Sequence, residues 1–242
     1  MELLAGRSKE QRGKEKAIGS YDADQVEDGV NPSLASLGVS YKTQGMDPKL
    51  RRFNGTVQDV LERYINHALA DRQFRLLVMK ALNMSELMSL SVASLSGGEM
   101  QRLSITLCLG TPALVYLIDE PSAGLDCEQR IIAAKVMKRW VINHMKRTIF
   151  LVEHDFVMAA SMADRAVVYE GNPGVECYAL PPTSVAEGFN HFLKNLDVTF
   201  RRDPVNLRPR INKKNSRLDN AQKKAGEYYL FEVEDDVDDD DL

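Results

Sequence analysis

A chain of 242 residues, 44% hydrophobic and 27% charged, lies in the ordinary range of soluble globular proteins and is long enough for one large domain or two small ones. No apolar run reaches the ~18 residues that a membrane-spanning helix needs, and Met1–Gly6, followed by alternating Lys, Glu and Arg, lacks the apolar stretch of a signal peptide. Three widely spaced cysteines (Cys108, Cys127 and Cys177) form no Cys-x-x-Cys pair, which argues against a disulfide framework or zinc site and for a reducing, cytoplasmic compartment.

In chain order, residues 1–6 read as the end of a helix stopping at Gly6. Residues 7–33 are polar and aperiodic, as expected of a mobile segment. Leu37 to Gln44 reads as a short strand running into a loop. Thr56, with Asp59 three residues on, predicts a capped helix carrying Val57, Val60, Leu61, Tyr64, Ile65 and Ala68 at helical spacing. A second helix is predicted over Asp71–Leu82, with Phe74, Leu77, Val78 and Ala81 facing inward. A third runs from Ser96 to Gly110, where Thr111-Pro112 stops it. Strands and helices then alternate. Leu114–Ile118 is an apolar strand, Asp126 opens a helix through Trp140, and Thr148–Val152 is a second buried strand. Phe156–Ala163 is a helix, Ala166–Tyr169 a third strand, and Ser184–Leu196 a closing helix. Uninterrupted apolar strands with helices between them imply a parallel sheet covered on both faces, with ligands beyond the strands' carboxyl ends.

The formal net charge of −4 is unevenly spread. Residues 227–242 hold nine acidic residues and no basic one, so the 31 basic and 26 acidic residues before them leave +5. Arg201 to Lys224 holds nine basic residues against Asp203 and Asp219, a cluster suited to an anionic partner such as RNA or simply to a solvated strap.

Four patterns carry chemistry. In Leu95-Ser-Gly-Gly-Glu-Met-Gln-Arg102, two glycines at a helix entrance and the Ser96 hydroxyl form an anion site aimed at phosphate oxygens; Ser-Gly-Gly alone would sooner be a Ser-capped helix after a flexible turn. Asp119-Glu120, at the end of the strand Leu114–Ile118, suits magnesium and water chemistry: Asp119 to hold hydrated Mg²⁺, Glu120 to orient water toward a γ-phosphate. His154, just past the strand ending at Val152, can donate a hydrogen bond to a phosphate oxygen. Gln44 follows the first strand as a ligand to the metal or its waters.

Their order resembles the ABC ATPase cassette, as its Q-loop (Gln44), signature, Walker B strand, D-loop (Ser122–Asp126) and switch histidine, over residues 37–170. Ser40-Tyr-Lys-Thr-Gln44, Leu117-Ile-Asp-Glu-Pro-Ser-Ala123 and Val152-Glu-His-Asp-Phe156 are similar to the second cassette of the subfamily E ribosome-recycling ATPases, the RNase L inhibitor family. Thr199-Phe-Arg-Arg-Asp-Pro204 and Arg208-Pro-Arg-Ile-Asn-Lys213 are the discriminating motifs, because transporter cassettes do not resemble them. No G-x-x-x-x-G-K-[ST] phosphate loop occurs. Gly6 to Gly13-Lys14 has too long a spacing and is followed by Glu15, while Met1–Gly6 resembles the helix that follows that loop in the family. The chain is therefore expected to begin just past it, without a first cassette or an iron–sulfur domain. Gly124 also stands where the family usually has Tyr.

The resemblance implies an α/β P-loop-type cassette without its first strands and phosphate loop. Residues 1–36 would be a helix remnant and mobile segment, and 37–200 the cassette, with a helical subdomain at about 54–110. Residues 201–226 would be an irregular, hinge-like basic strap, and 227–242 a disordered acidic tail. It implies ATP and Mg²⁺ as cofactors, without an iron–sulfur cluster. Glu120 and His154 would be catalytic; Gln44, Ser96, Gly97, Gly98, Glu99 and Asp126 would contact nucleotide; Asp119 and Gln44 would hold Mg²⁺. Partners would be the first cassette, the small ribosomal subunit with its RNA, and release-factor-type proteins, with no membrane. The intact ATPase would split ribosomes after termination and support translation initiation; the alternative is a non-catalytic fragment that docks on a ribosome or partner cassette. A membrane importer is disfavoured by the C-terminal motifs, and DNA-repair ATPases by the lack of sustained heptads.

Overall fold

The computed structural model describes residues 38–45, 50, 52–172, 174–202 and 209–229. The expected helix remnant and polar segment before residue 38, Arg208 and the acidic tail beyond Tyr229 lie outside these residues. The chain divides into two compact units, Met1–Met162 and Ala163–Leu242.

The first unit holds a helical block and a parallel sheet. Helix α1 (Val57–Ala70) begins with a reciprocal capping box, in which the Thr56 hydroxyl accepts from the Asp59 amide and the Asp59 carboxylate accepts from the Thr56 amide. Val57, Val60, Leu61, Ile65 and Ala68 are buried, whereas Tyr64 is 47% exposed. The predicted second helix is a short α-turn, Arg72–Phe74 (α2), continued by π-type Arg75–Lys80, with Phe74 and Val78 in the core. Helix α3 (Gly97–Gly110) crosses α1 where Gly110 meets Ile65, the residue at which α1 kinks (φ −135°, ψ 29°). A Cβ on Gly110 would stand 2.6 Å from Ile65 Cδ1, so the absence of a side chain sets how closely the helices approach.

Strands β1 (Val39–Lys42), β2 (Val115–Asp119) and β3 (Thr148–Val152) form a parallel sheet in that order. Central β2 buries Tyr116, Leu117 and Ile118 to 1% exposure or less, the pattern expected of a strand covered on both faces. Strand β3 departs from the expected fully buried strand. It pairs with β2 alone among the described residues, and its burial alternates, with Phe150 and Val152 46% and 41% exposed. One of its faces has no covering layer there, and uniform apolarity does not reveal which face a neighbour covers. Between β2 and β3 the chain runs through α4 (Cys127–Met137), extended by a π-helical stretch Lys138–His144; α5 (Phe156–Met162) follows β3. Trp140 anchors that stretch, packing edge-on against Phe74 and donating its indole N–H to the Leu109 carbonyl at 3.0 Å.

In the second unit the expected strand Ala166–Tyr169 does not extend the parallel sheet. Arg165–Ala166 (β4) pairs antiparallel with Thr183–Ser184 (β7), and Tyr169–Asn172 (β5) forms a hairpin with Glu176–Ala179 (β6). The turn-forming sequence Gly171-Asn-Pro-Gly174 favours local antiparallel return over a long crossover. Helix α6 (Val185–Asn195) is capped by Ser184 with Glu187, close to expectation. The extension expected to be irregular carries regular structure: β8 (Phe200–Arg202) and β9 (Pro209–Ile211) form an antiparallel ribbon, and α7 (Arg217–Ala225) follows. Behind it lies a buried polar cluster. The Thr199 hydroxyl donates to Asp219 at 2.6 Å, the Asn212 amide donates to Thr199 and Gln222, and the Gln222 amide donates to the Phe200 carbonyl. Every polar group there has a partner, which makes the burial tolerable.

Replacing Gly110 with Ala should lower stability by about 1–3 kcal/mol, because the new methyl group overlaps Ile65 in a filled interface. Urea denaturation of the two proteins measures it, and an Ile65→Val change added to Gly110→Ala should restore part of the loss.

Candidate active site

Lys42 lies opposite Ile118 across β1 and β2, and Asp119 lies opposite Val152 across β2 and β3. Continued past the strand ends, this register brings the segments carrying Gln44, Glu120 and His154 together at the sheet's carboxyl edge. Glu120 leaves β2 with φ of +45°, a left-handed conformation that costs a residue with a Cβ on the order of 1–2 kcal/mol. Several contacts hold it there. The Glu120 amide donates to the Val152 carbonyl at 2.8 Å. Lys42 Nζ donates to the carbonyls of Asp119 (2.6 Å), Glu120 (3.2 Å) and Thr43 (3.2 Å). Gln101 Nε2, from α3, donates to the carbonyls of Glu120 and Pro121, both at 2.9 Å.

This main-chain cage aims the Glu120 side chain. Its Oε1 accepts from Gln44 Nε2 at 3.0 Å and lies 2.9 Å from His154 Nε2. The carboxylate side chain is 20% exposed and the imidazole 83%, so the pair sits at the edge of solvent where a ligand can reach it. Three residues singled out by sequence thus meet at one oxygen atom. Lys42 is buried, and burial lowers its pKa, opposed by the nearby charge of Asp119. Its acceptors are neutral carbonyls.

For Mg²⁺ the chain offers the Asp119 carboxylate at the end of β2 and the Gln44 side-chain carbonyl, since the Gln44 NH₂ is turned to Glu120. Among the described residues no group of three or more His, Cys, Asp or Glu side chains could hold a metal ion. Two hard oxygen donors fit Mg²⁺, which takes one or two protein ligands and fills its octahedron with phosphate oxygens and water.

The entrance of α3 presents Ser96, Gly97, Gly98 and Glu99. The Ser96 hydroxyl donates to Glu99 Oε2 at 2.7 Å and the Ser96 amide donates to the same oxygen at 2.8 Å, closing a capping box. These two bonds, the amide first, hold the Glu99 carboxyl below its ordinary pKa. Gly97 faces open space, with nothing within 4 Å of where a Cβ would be, while the Gly98 position lies 3.1 Å from the Gly124 carbonyl. Gly124 itself has φ of +76°, which a Tyr there would adopt only with strain. Asp126 caps α4, its Oδ1 accepting from the Gln129 amide at 2.8 Å. Ser96 and Asp126 therefore bond within their own helix caps and not to the Glu120 cluster. Two contributors escaped the sequence reading: Lys42 and Gln101. Gln101 stands inside the stretch Leu95–Arg102 that was recognised, and Lys42 inside the stretch Ser40–Gln44.

The ABC transporter family model matches residues 1–123. Relatives include ABC transporter E family member 1 of Arabidopsis thaliana, 53% identical over 206 residues, covering 85% of this chain and 34% of that protein. Translation initiation factor RLI1 of Chaetomium thermophilum is 50% identical over 199 residues, covering 82% and 32%. Among solved structures, an archaeal ribosome recycling factor in complex with the ribosomal stalk protein aP1 superposes with a TM-score of 0.73 at 36% identity, over 95% of this chain and 40% of that one. The α/β sheet with this strand-end cluster is an ATP-binding cassette, and the chain belongs to the ABC transporter family. Within that family the likeness is to the C-terminal part of its E subfamily, and the chain spans about a third of the length of the curated relatives it matches.

Lys42 should titrate below the ordinary lysine range. Between its lowered pKa and the value of about 10.4 for an unfolded lysine, the unfolded chain binds more protons than the native one, so this group makes stability rise with pH. Urea denaturation across that window should show the rise in the native sequence and its loss in Lys42→Met.

Proposed function

We propose that this chain is the ATP-binding and ATP-hydrolysing second cassette of a soluble two-cassette ABC ATPase that splits ribosomes after termination and supports translation initiation. The observation that carries the reading is the meeting of Gln44 and His154 on one oxygen of Glu120. Glu120, held in one orientation by its caged backbone, orients water for in-line attack on the γ-phosphate and accepts its proton. His154, largely exposed, turns its Nε2 from Glu120 to a γ-phosphate oxygen when nucleotide binds. Asp119 and Gln44 would hold Mg²⁺, which when bound neutralises phosphate charge. The open face of Gly97 and the unpaired N–H groups of the α3 entrance serve the nucleotide of the opposite cassette, with Ser96, Gly98 and Glu99 beside them and Asp126 in the adjoining turn.

Ribosome recycling and initiation are drawn from the relatives' names, from the recycling factor bound to a ribosomal stalk protein, and from the basic ribbon. Arg201 lies directly opposite Arg210 across β8 and β9, both exposed. Two exposed guanidinium groups on one ribbon suit an anionic partner such as RNA. The partners of this reading are the first cassette, the small ribosomal subunit and its RNA, and release-factor-type proteins, in the cytoplasm. No helix among the described residues is long and apolar enough to cross a membrane. A second reading, a non-catalytic module that docks on a ribosome or partner cassette, is favoured by one fact: no G-x-x-x-x-G-K-[ST] occurs in the sequence, so phosphate grip has to come from elsewhere.

In a two-cassette protein carrying this sequence, Glu120→Gln should leave ATP bound but slow hydrolysis at this cassette by roughly 10²-fold or more. Single-turnover hydrolysis with the other cassette silenced measures it; an unchanged rate removes Glu120 from its role and favours the docking module.

Reversal of Arg208 and Arg210 to Glu should weaken co-sedimentation with ribosomal subunits most at low salt. Each lost phosphate contact should flatten the slope of log affinity against log salt by about 0.7–0.9.

A further inference from the structure

Two loops flank Glu120: the turn Pro121–Asp126 after β2, and Glu153–Asp155 after β3. The hydrolytic roles proposed above use neither Glu153 nor Arg130, yet both residues join these loops. Glu153 Oε1 accepts from the Ser122 hydroxyl at 2.8 Å, the His154 amide at 2.7 Å and the Asp155 amide at 2.9 Å, and its Oε2 accepts from the Ser122 amide at 3.2 Å. Arg130, in the first turn of α4, makes a second bridge. Its Nε donates to the Leu125 carbonyl at 3.0 Å and its Nη1 to Asp155 Oδ2 at 3.1 Å. Each loop is thus gripped at two points by side chains that reach across to it.

The chemistry of the Glu153 contacts is one-sided. All four partners are donors, and an ionised carboxylate is acceptor only. Ser122 is 8% exposed, so its amide and hydroxyl have little water to turn to if the carboxylate leaves. A glutamine of the same shape would point its NH₂ either at the Ser122 amide or at the three donors on the other side.

We propose that Glu153, backed by Arg130, is a positioning residue that latches the Ser122–Asp126 turn to His154, so that the two loops move as one body. The assignment of a hydrolytic consequence rests on the proposed roles of Glu120 and His154; the latch itself rests on the geometry above. The exposed tip of the turn, Ala123–Gly124, is where a neighbouring surface can press on it. Through Ser122 and Glu153 a shift of that tip reaches the His154 main chain, and through the imidazole it reaches Glu120 Oε1, 2.9 Å away. The latch converts contact at the turn into placement of the histidine.

Amide hydrogen exchange on the 242-residue chain tests the latch directly. Glu153→Gln should accelerate exchange of the Ser122, His154 and Asp155 amides together, while the β2 amides stay protected. Ser122→Ala, which removes only the hydroxyl contact, should do so more weakly, and it keeps the test available if the glutamine variant fails to fold. Retained protection at Ser122 in Glu153→Gln, or a response confined to His154 and Asp155, would overturn the proposal, since a side chain that merely fills space is replaced by its isostere. In a two-cassette protein, Glu153→Gln should lower kcat about ten- to a hundredfold with the ATP KM nearly unchanged, the signature of misplaced catalytic groups. An unchanged kcat beside accelerated exchange overturns the coupling to His154. If the unaltered cassette hydrolyses no ATP at all, the proposed function fails, while the exchange experiment still decides whether the loops are latched.

Discussion

The geometry of the site depends on one peptide segment, the passage from Asp119 through Glu120 to Pro121. The chain leaves the central strand in a left-handed turn, which directs three consecutive carbonyls toward the interior of the cassette. Carbonyls withdrawn from water need donors, and the donors are a buried lysine from β1 and a glutamine from α3. The Glu120 amide takes its acceptor from β3. Three strands and a helix are thereby fastened to one another at the residue whose carboxylate meets Gln44 and His154. The Lys42 ammonium is suited to this task because it carries several donors on one compact head.

The same economy of caps and clamps recurs away from this segment. Ser96, Asp126, Ser184 and Ser216 each turn a side-chain oxygen onto the third amide of the helix that follows. In the second unit, the Thr199–Asn212–Asp219–Gln222 cluster holds a ribbon on which arginine faces arginine. The Asp219 carboxyl is kept below its ordinary pKa by the Thr199 hydroxyl first, with the Asn215 amide and Lys223 adding to it, so acid weakens this support from within.

Much of this was legible in the sequence because it is local. Capping boxes at Thr56 and Ser96, the Asp126 cap and the apolar run of β2 announce themselves within four or five residues, and the structure places all of them within a residue or two of expectation. The order Gln44, Ser-Gly-Gly-Glu, Asp119-Glu120, His154 was equally visible. What sequence left hidden depends on long-range placement. The apolar run of β3 does not say that Phe150 and Val152 are partly exposed among the described residues. Ala166–Tyr169 looks like another parallel strand until the turn residues after it are weighed. The charge of residues 201–224 suggested a loose strap because the polar residues that organise it, Thr199, Asn212 and Gln222, carry no periodicity. Lys42 and Gln101 were missed because their partners are main-chain groups, which every residue possesses and no motif marks.

The proposed role of Glu120 also sets chemistry against durability. Glycine adopts a φ of +45° without steric cost and asparagine at little cost, whereas glutamate does so under strain. A population of variants screened only for resistance to heat would therefore be drawn toward Gly or Asn at position 120, gaining on the order of 1 kcal/mol and giving up the carboxylate. The glutamate is a residue that folding alone would not choose. On the proposed role of Glu120, a lineage that keeps it while drifting elsewhere would be under selection for turnover, and one that exchanges it for glycine would have given up hydrolysis for a sturdier scaffold.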